Sequence, residues 1–318
     1  MKVNRKSIGM AVVISGLCVI GFFYGIHSVN PKNSSPVKDN QNTLEHIVNS
    51  EQSNLSEEIQ PVVKEVKSIL VPSGMTLDER FGAPEGYTKD EYQEESFGAF
   101  VRGYSMQKDG AKVQLYDGGK KFNQSSVAAV FSMTLGERDL QQCADSVIRM
   151  YAEYFYEKQE YERMNFHFVN GFECSYSKWM EGYRILVNGN DVSWQNSAQK
   201  DNSSESLEKY LNTVFSYAST ISLNQECEEV DFSEVQIGDV FIEAGSPGHV
   251  VMVVDVCTNK RGEKAVLLAQ GYMPAQEFHV IRNPRHKDDP WYYQEELESP
   301  FKTAEYTFDS CSVKRPQY

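Results

Sequence analysis

Cysteine is scarce in this chain and never closely paired: six occur in 318 residues, and no two stand in a CxxC spacing. That excludes the ligand pattern of a structural zinc site and the redox pair of a thioredoxin-like protein. Positive charge is also short. Lys and Arg number 31 against 45 Asp and Glu, for a net charge of −14. No basic face is left to neutralise phosphates, so nucleic acid is excluded as a partner. Internal repeats are absent, and no pattern calls for a metal or a cofactor. Asp117-Gly118-Gly119-Lys120-Lys121 reads as a turn without the spacing of a phosphate loop. Acidic pairs such as Glu94-Glu95 and Asp288-Asp289 read as solvated surface.

What is present begins with an apolar run. Lys2, Arg5 and Lys6 precede an unbroken apolar or small-residue stretch from Ile8 to Ile26, close to the roughly 20 residues a helix needs to cross a bilayer. The basic flank stays in the cytoplasm by the positive-inside rule, which exports the chain beyond His27. The run is longer than the apolar core of most signal peptides and lacks an A-x-A-like cleavage site, which favours an anchor. Leu17 before Cys18 is not the small residue of a lipoprotein signal. Beyond Ser28, Asn, Ser, Glu, Gln and Lys dominate with no aromatic residue up to Gln60, a composition that cannot bury enough surface to order itself. The chain therefore divides into a cytoplasmic basic stub (1–7), a transmembrane anchor or signal sequence (8–26), a disordered polar linker (27–71) and an extracytoplasmic globular domain (72–318). Export permits disulfides among Cys143, Cys174, Cys227, Cys257 and Cys311, an odd set that leaves at least one thiol free within a chain.

Within the globular part, periodicity predicts helices over Leu140–Tyr156 and Leu207–Ser222. Strands are predicted over Phe97–Tyr104, Ala111–Tyr116, Ser126–Leu135, Asn165–Val169, Val240–Ile242, His249–Cys257, Lys264–Gln270 and Glu277–Ile281. Helices early and an antiparallel sheet late indicate an α+β domain.

Two residues carry the chemistry. Asp139 as N-cap with Gln142 three residues on would start a helix so that Cys143 feels its N-terminal dipole, which favours a thiolate. The same helix stripe, Cys143, Val147, Met150 and Tyr154, equally suits a buried core thiol. His249 opens a valine-rich strand after Gly245-Ser246-Pro247-Gly248, a place that strand propensity does not explain, although a satisfied core histidine also fits. His167, His279 and His286 are weaker candidates. A hairpin centred near Lys260–Arg261 sets Val251 opposite Gln270 and His249 opposite Tyr272. Gln270 is then a same-face diagonal neighbour of His249, able to accept its Nδ1–H. Asp255 falls on that face too, but six residues along the same strand it is about 20 Å away.

Ile237-Gly238-Asp239-Val240-Phe241 followed by Gly248-His249-Val250-Val251-Met252-Val253-Val254 resembles the GD…GHV half of the NlpC/P60 and CHAP cysteine peptidases. The resemblance implies a papain-like topology, with the helix-borne Cys143 packed on a C-terminal antiparallel sheet. It also implies the order Cys143, His249, Gln270 for nucleophile, base and orienting residue. The chain departs from it in lacking the usual Asp-Cys-Ser/Gly surroundings of the nucleophile. Over nearly the whole globular region the chain more closely resembles the bacterial family called domain of unknown function 4846. The matching segments are Gly136-Glu137-Arg138-Asp139-Leu140-Gln141-Gln142-Cys143-Ala144-Asp145, Gly245-Ser246-Pro247-Gly248-His249, and Leu268-Ala269-Gln270-Gly271-Tyr272-Met273-Pro274-Ala275-Gln276. That family name implies no activity.

The favoured reading is a membrane-tethered extracytoplasmic cysteine hydrolase or transferase acting on an amide or ester, with cell-wall peptide or an envelope protein as its partner. Gln142, Trp179, Tyr183, Arg184 and Tyr272 are the candidate substrate contacts; Trp179, Tyr183 and Arg184 equally suit core and surface roles. The alternative is a non-catalytic cell-envelope binding or assembly module on the same fold. Protease added to intact cells is expected to release the domain by cleavage between residues 30 and 60; protection of the whole chain would contradict the exported topology.

Overall fold

The computed structural model describes residues 68–318. The stub, the anchor and nearly all of the linker lie outside the described residues. Residues 68–71, assigned above to the linker, already pair with the domain: the Gly82 N–H donates to the Ile69 carbonyl and the Val71 N–H to the Arg80 carbonyl.

The described domain is α+β, organised by one antiparallel sheet of nine strands. These are β1 (Tyr87–Lys89), β2 (Val127–Val130), β3 (Cys227–Val230), β4 (Val240–Glu243), β5 (His249–Asn259), β6 (Lys264–Gln270), β7 (His279–Ile281), β8 (Tyr292–Tyr293) and β9 (Val313–Pro316). Their order is β2-β7-β6-β5-β4-β9-β3, with β1 on the far end of β5 and β8 on the near end of β6. At the centre runs β5, whose valines 250, 251, 253, 254 and 256 are fully buried. Its continuous apolar run, without alternation, is what burial on both faces requires.

Four helices flank the sheet: α1 (Phe97–Gly103), α2 (Cys143–Glu157), α3 (Ser204–Tyr217) and α4 (Thr220–Gln225). The central one, α2, contacts β5, β6, α1, α3 and α4, so it is buried nearly all round, from Ala144 to Phe155. Its buried Arg149 donates to Glu153 (2.8 Å) and to the Gln141 side chain (2.9 Å), and pairs with Glu208 of α3. One guanidinium thus ties α2 to α3 and to the loop that leads into Cys143.

Three element predictions need correction. Phe97–Gly103 is a helix, not a strand, because Ser96 caps it by accepting from the Ala99 N–H and Phe97 stacks on Tyr151 of α2 at 4.1 Å. Within it Gly98 is required, since a Cβ there would stand 2.1 Å from the Tyr92 ring. Ala111–Tyr116 contributes only isolated bridges, Gln114 to Lys120 and Leu115 to Gln276. The predicted Leu207–Ser222 helix breaks at Ala218 and Ser219; Ser219 leaves helical geometry and caps α4.

The β5–β6 hairpin centres on Arg261, as Lys264 opposite Thr258 shows, and a bulge then skips Val254 so that Leu268 faces Val253 and Ala269 faces Met252. These two half-steps cancel. Continuing the register puts Gln270 opposite Val251, as the hairpin arithmetic expects. Beyond the bulge the alternation inverts, so Asp255 points to the face opposite His249, which corrects its expected placement on the histidine's face. There Arg102 of α1 holds it at 2.6 and 2.8 Å and Lys89 at 3.0 Å.

Gly271, just past β6, decides how closely α2 approaches the sheet. A Cβ there would lie 2.3 Å from the Ser146 hydroxyl and 2.6 Å from the Gln142 carbonyl. Gly271→Ala is expected to push the start of α2 outward and cost about 1–3 kcal/mol. Gly103→Ala, where a Cβ meets nothing, is expected to be neutral or slightly stabilising. Urea unfolding of both variants checks the contrast; equal stabilities would remove Gly271 as a spacing constraint.

Candidate active site

Helix α2 begins at Cys143 itself, three residues later than the capping pattern predicts. The N-cap is Gln142, not Asp139, and the third helical residue is Asp145, whose carboxylate accepts from the Gln142 N–H at 3.0 Å. Asp139 instead accepts from the Ala275 N–H (2.7 Å) and the Gln142 amide (3.0 Å), pinning the loop to the segment after β6. As the first helical residue, Cys143 has backbone N–H neighbours without intrahelical acceptors. The backbone N–H groups of Ala144, Val250 and Cys143 itself lie close enough to the sulfur to favour its ionised form. Val250 is the residue after His249, so the thiol stands against the start of β5.

His249 is buried at that strand start. Its Nε2 lies 2.8 Å from Gln270 Oε1, and the Gln270 amide NH2 donates to Glu305 Oε2 at 2.7 Å. The nitrogen engaged is Nε2, not the Nδ1 that the hairpin reading assigned; the ring stands between Tyr272, Tyr306 and Phe308, with centroids 4.7, 4.9 and 5.9 Å away. An amide oxygen only accepts, so Nε2 carries the hydrogen and the neutral ring keeps its lone pair on Nδ1. Cys143, His249, Gln142 and Tyr272 line one cleft of about 240 Å³, together with Asp139, Asp145, Phe215, Thr220, Gly245–Gly248 and Tyr306.

Burial decides the protonation states. It pushes the Cys143 thiol up to about 11, helped by the nearby Asp145 and opposed by the backbone N–H groups. The dipole-stabilised thiolate expected from the helix position is therefore overturned by desolvation. Burial brings the His249 imidazole down to about 4 against the opposing effects of Gln270 and Glu305. Asp145, wholly enclosed, is pushed up to about 8. Glu305 goes the other way: burial opposes its ionisation, but His279 and Lys121 outweigh it and bring it to about 2. The resting pair is a neutral thiol and a neutral imidazole.

Not every candidate reaches this cleft. Trp179 and Arg184 line a separate groove with Arg138 and Lys209, where the Arg184 guanidinium stacks 4.1 Å over the indole and donates to the carbonyls of Trp179 and Tyr183. Tyr183 opens a hairpin, Tyr183–Asn196, that stands apart from the nine-stranded sheet. Gln141, the residue before the helix cap, is held by Arg149. Two residues escaped the sequence reading, Glu305 and Lys121, and His279 stands nearer the site than its rank among the histidines suggests. Lys121, at the end of the glycine turn, is buried and pairs with Glu305 while donating to the Asn123 carbonyl (2.7 Å) and the Ser126 hydroxyl (3.0 Å). Glu305 sits in a tight turn between Phe301–Lys302 and Thr307–Phe308, closed by the Thr303 N–H donating to the Tyr306 carbonyl at 2.9 Å. No local pattern marks it. The five described cysteines are all free.

A family model described as a domain of unknown function (4846) matches residues 77–315. No curated protein and no solved structure matches the chain.

The shifts give opposite pH dependences. His249 titrates lower in the fold than its ordinary 6.5, so its contribution to stability is complete above pH 6.5 and is lost as pH falls toward 4. Asp145 titrates above its ordinary 3.8, so its contribution is complete below that value and is lost as pH rises toward 8. Asp145→Asn is expected to match the parent at pH 4 and to exceed it by about 2 kcal/mol or more at pH 9. Denaturant melts at both pH values check this; a constant difference would show that Asp145 ionises normally.

Proposed function

We propose that this chain, which belongs to the family described as domain of unknown function (4846), is a membrane-tethered extracytoplasmic cysteine hydrolase or acyl transferase with papain-like topology. The observation that carries the reading is the Gln270–His249 hydrogen bond of 2.8 Å. It leaves Nδ1 with its lone pair on an imidazole that shares a cleft with Cys143. In the proposed reaction Nδ1 takes the thiol proton as the sulfur attacks a carbonyl carbon, forming a C–S bond. Backbone N–H groups at Cys143 and Ala144 hold the oxyanion. As the C–N or C–O bond breaks, the imidazolium returns its proton to the leaving group. Water, or an acceptor amine or alcohol, then gives its proton to His249 and displaces the thiol. With a neutral resting pair, proton transfer accompanies attack and is not completed before substrate arrives.

The cleft lining includes Asp139 and no Lys or Arg, while Asp145, pushed up to about 8, is mostly uncharged near neutral pH; the absence of a cation favours neutral acyl donors over anionic ones. Cell-wall peptide fits where its carboxylates lie outside the cleft. A second reading, a non-catalytic envelope binding or assembly module, draws on the sulfur being turned to backbone N–H groups with its thiol held at about 11.

Incubation with activated acyl esters separates the two. An acyl adduct on Cys143 is expected by intact mass, absent in Cys143→Ala and formed roughly 100-fold more slowly in His249→Ala. Equal acylation with and without His249, or none at Cys143, would sink the enzyme reading.

A further inference from the structure

We propose that Glu305 is a positioning residue of this site, fixing through Gln270 which ring nitrogen of His249 carries the hydrogen. The catalytic meaning of this rests on the reading above. A carboxylate only accepts hydrogen bonds, so Glu305 Oε2, 2.7 Å from Gln270 Nε2, obliges the NH2 end of that amide to face it. The oxygen end must then face His249 Nε2, the hydrogen must sit on Nε2, and the lone pair must remain on Nδ1.

Without Glu305 the Gln270 amide has no such obligation. Its two ends are nearly the same shape, and a half-turn fills the same volume. The turned amide would offer NH2 to Nε2 and so select the ring with hydrogen on Nδ1. That ring cannot take a proton from Cys143 through the same nitrogen.

The support for Glu305 is elaborate for a surface hairpin. Its carboxylate pairs with Lys121, a buried ammonium already held by Asn123 and Ser126. His279 Nε2 stands 3.9 Å away on the other side, its Nδ1–H donating to the Glu277 carbonyl at 2.9 Å. A buried Lys–Glu pair is weak as a source of stability, and apolar pairs of similar volume usually replace it without loss. Orientation of the amide is what such an apolar pair would not supply.

The test needs no substrate. In the full chain with ¹⁵N-labelled histidine, long-range ¹H–¹⁵N correlation reports the tautomer of His249 near pH 7. The parent is expected to hold hydrogen on Nε2. In Glu305→Ala the ratio of the Nε2–H to the Nδ1–H ring is expected to fall about tenfold or more, the scale of one charge-assisted hydrogen bond. The exchanged pair Lys121→Glu with Glu305→Lys keeps opposite charges but sets a donor against Gln270, and is expected to invert the tautomer; it serves also if Glu305→Ala does not fold. An unchanged ratio in the folded variants, or hydrogen on Nδ1 in the parent, overturns the proposal. Loss of the tautomer with no acylation of Cys143 in any protein would support the positioning and overturn the hydrolase reading. Acylation with an unmoved tautomer would do the reverse.

Discussion

Burial of β5 on both faces is the constraint on which most of the structure depends. A strand so enclosed has no water to satisfy its polar side chains, so each one must bring its own partners. Two polar residues of this strand, His249 and Asp255, are buried, and each recruits a distant part of the chain. His249 draws in Gln270 from β6, then Glu305 from the C-terminal turn, then Lys121 from the loop before β2. Asp255 draws in Arg102 from α1 and Lys89 from β1. The valines between them supply the apolar area, on the order of 1.5–3 kcal/mol for each side chain buried, and the two networks fix what lies over the strand.

The readable parts of this arrangement are those set by short-range rules. The His249–Gln270 neighbourhood comes from the alternation of one hairpin, and it holds because the shift of the turn to Arg261 and the bulge at Val254 offset each other. The α+β class comes from the order of periodicities. The unreadable parts depend on contacts across the fold. Phe97–Gly103 has strand-like residues, but its Ser96 cap and the stacking of Phe97 on Tyr151 select the helix. The start of α2 slips because Asp139, whose side chain suits a cap, spends its carboxylate on Ala275. Glu305 and Lys121 are 184 positions apart in sequence, and nothing local distinguishes either from an ordinary surface charge.

Desolvation, more than the helix dipole, sets the character of the cleft. First-turn position and free N–H groups favour a thiolate at Cys143, yet enclosure beside Asp145 raises the thiol while it lowers His249. The two shifts run against a preformed ion pair. Any chemistry the site performs is then coupled to what enters it, since a group that alters the enclosure alters both protonation states together.

The bulge at Val254 has a further consequence. One additional residue inverts the strand's parity, so a single strand presents its imidazole to one side of the sheet and its carboxylate to the other. In an unbroken strand both would face the same side of the sheet, and the Arg102 and Lys89 cations that hold Asp255 would have to be housed on the histidine's side as well. As built, the sheet is an insulating partition: the ion pairs under α1 can be strengthened, weakened or replaced in evolution while the acid–base character at the opposite end of the same strand stays as it was.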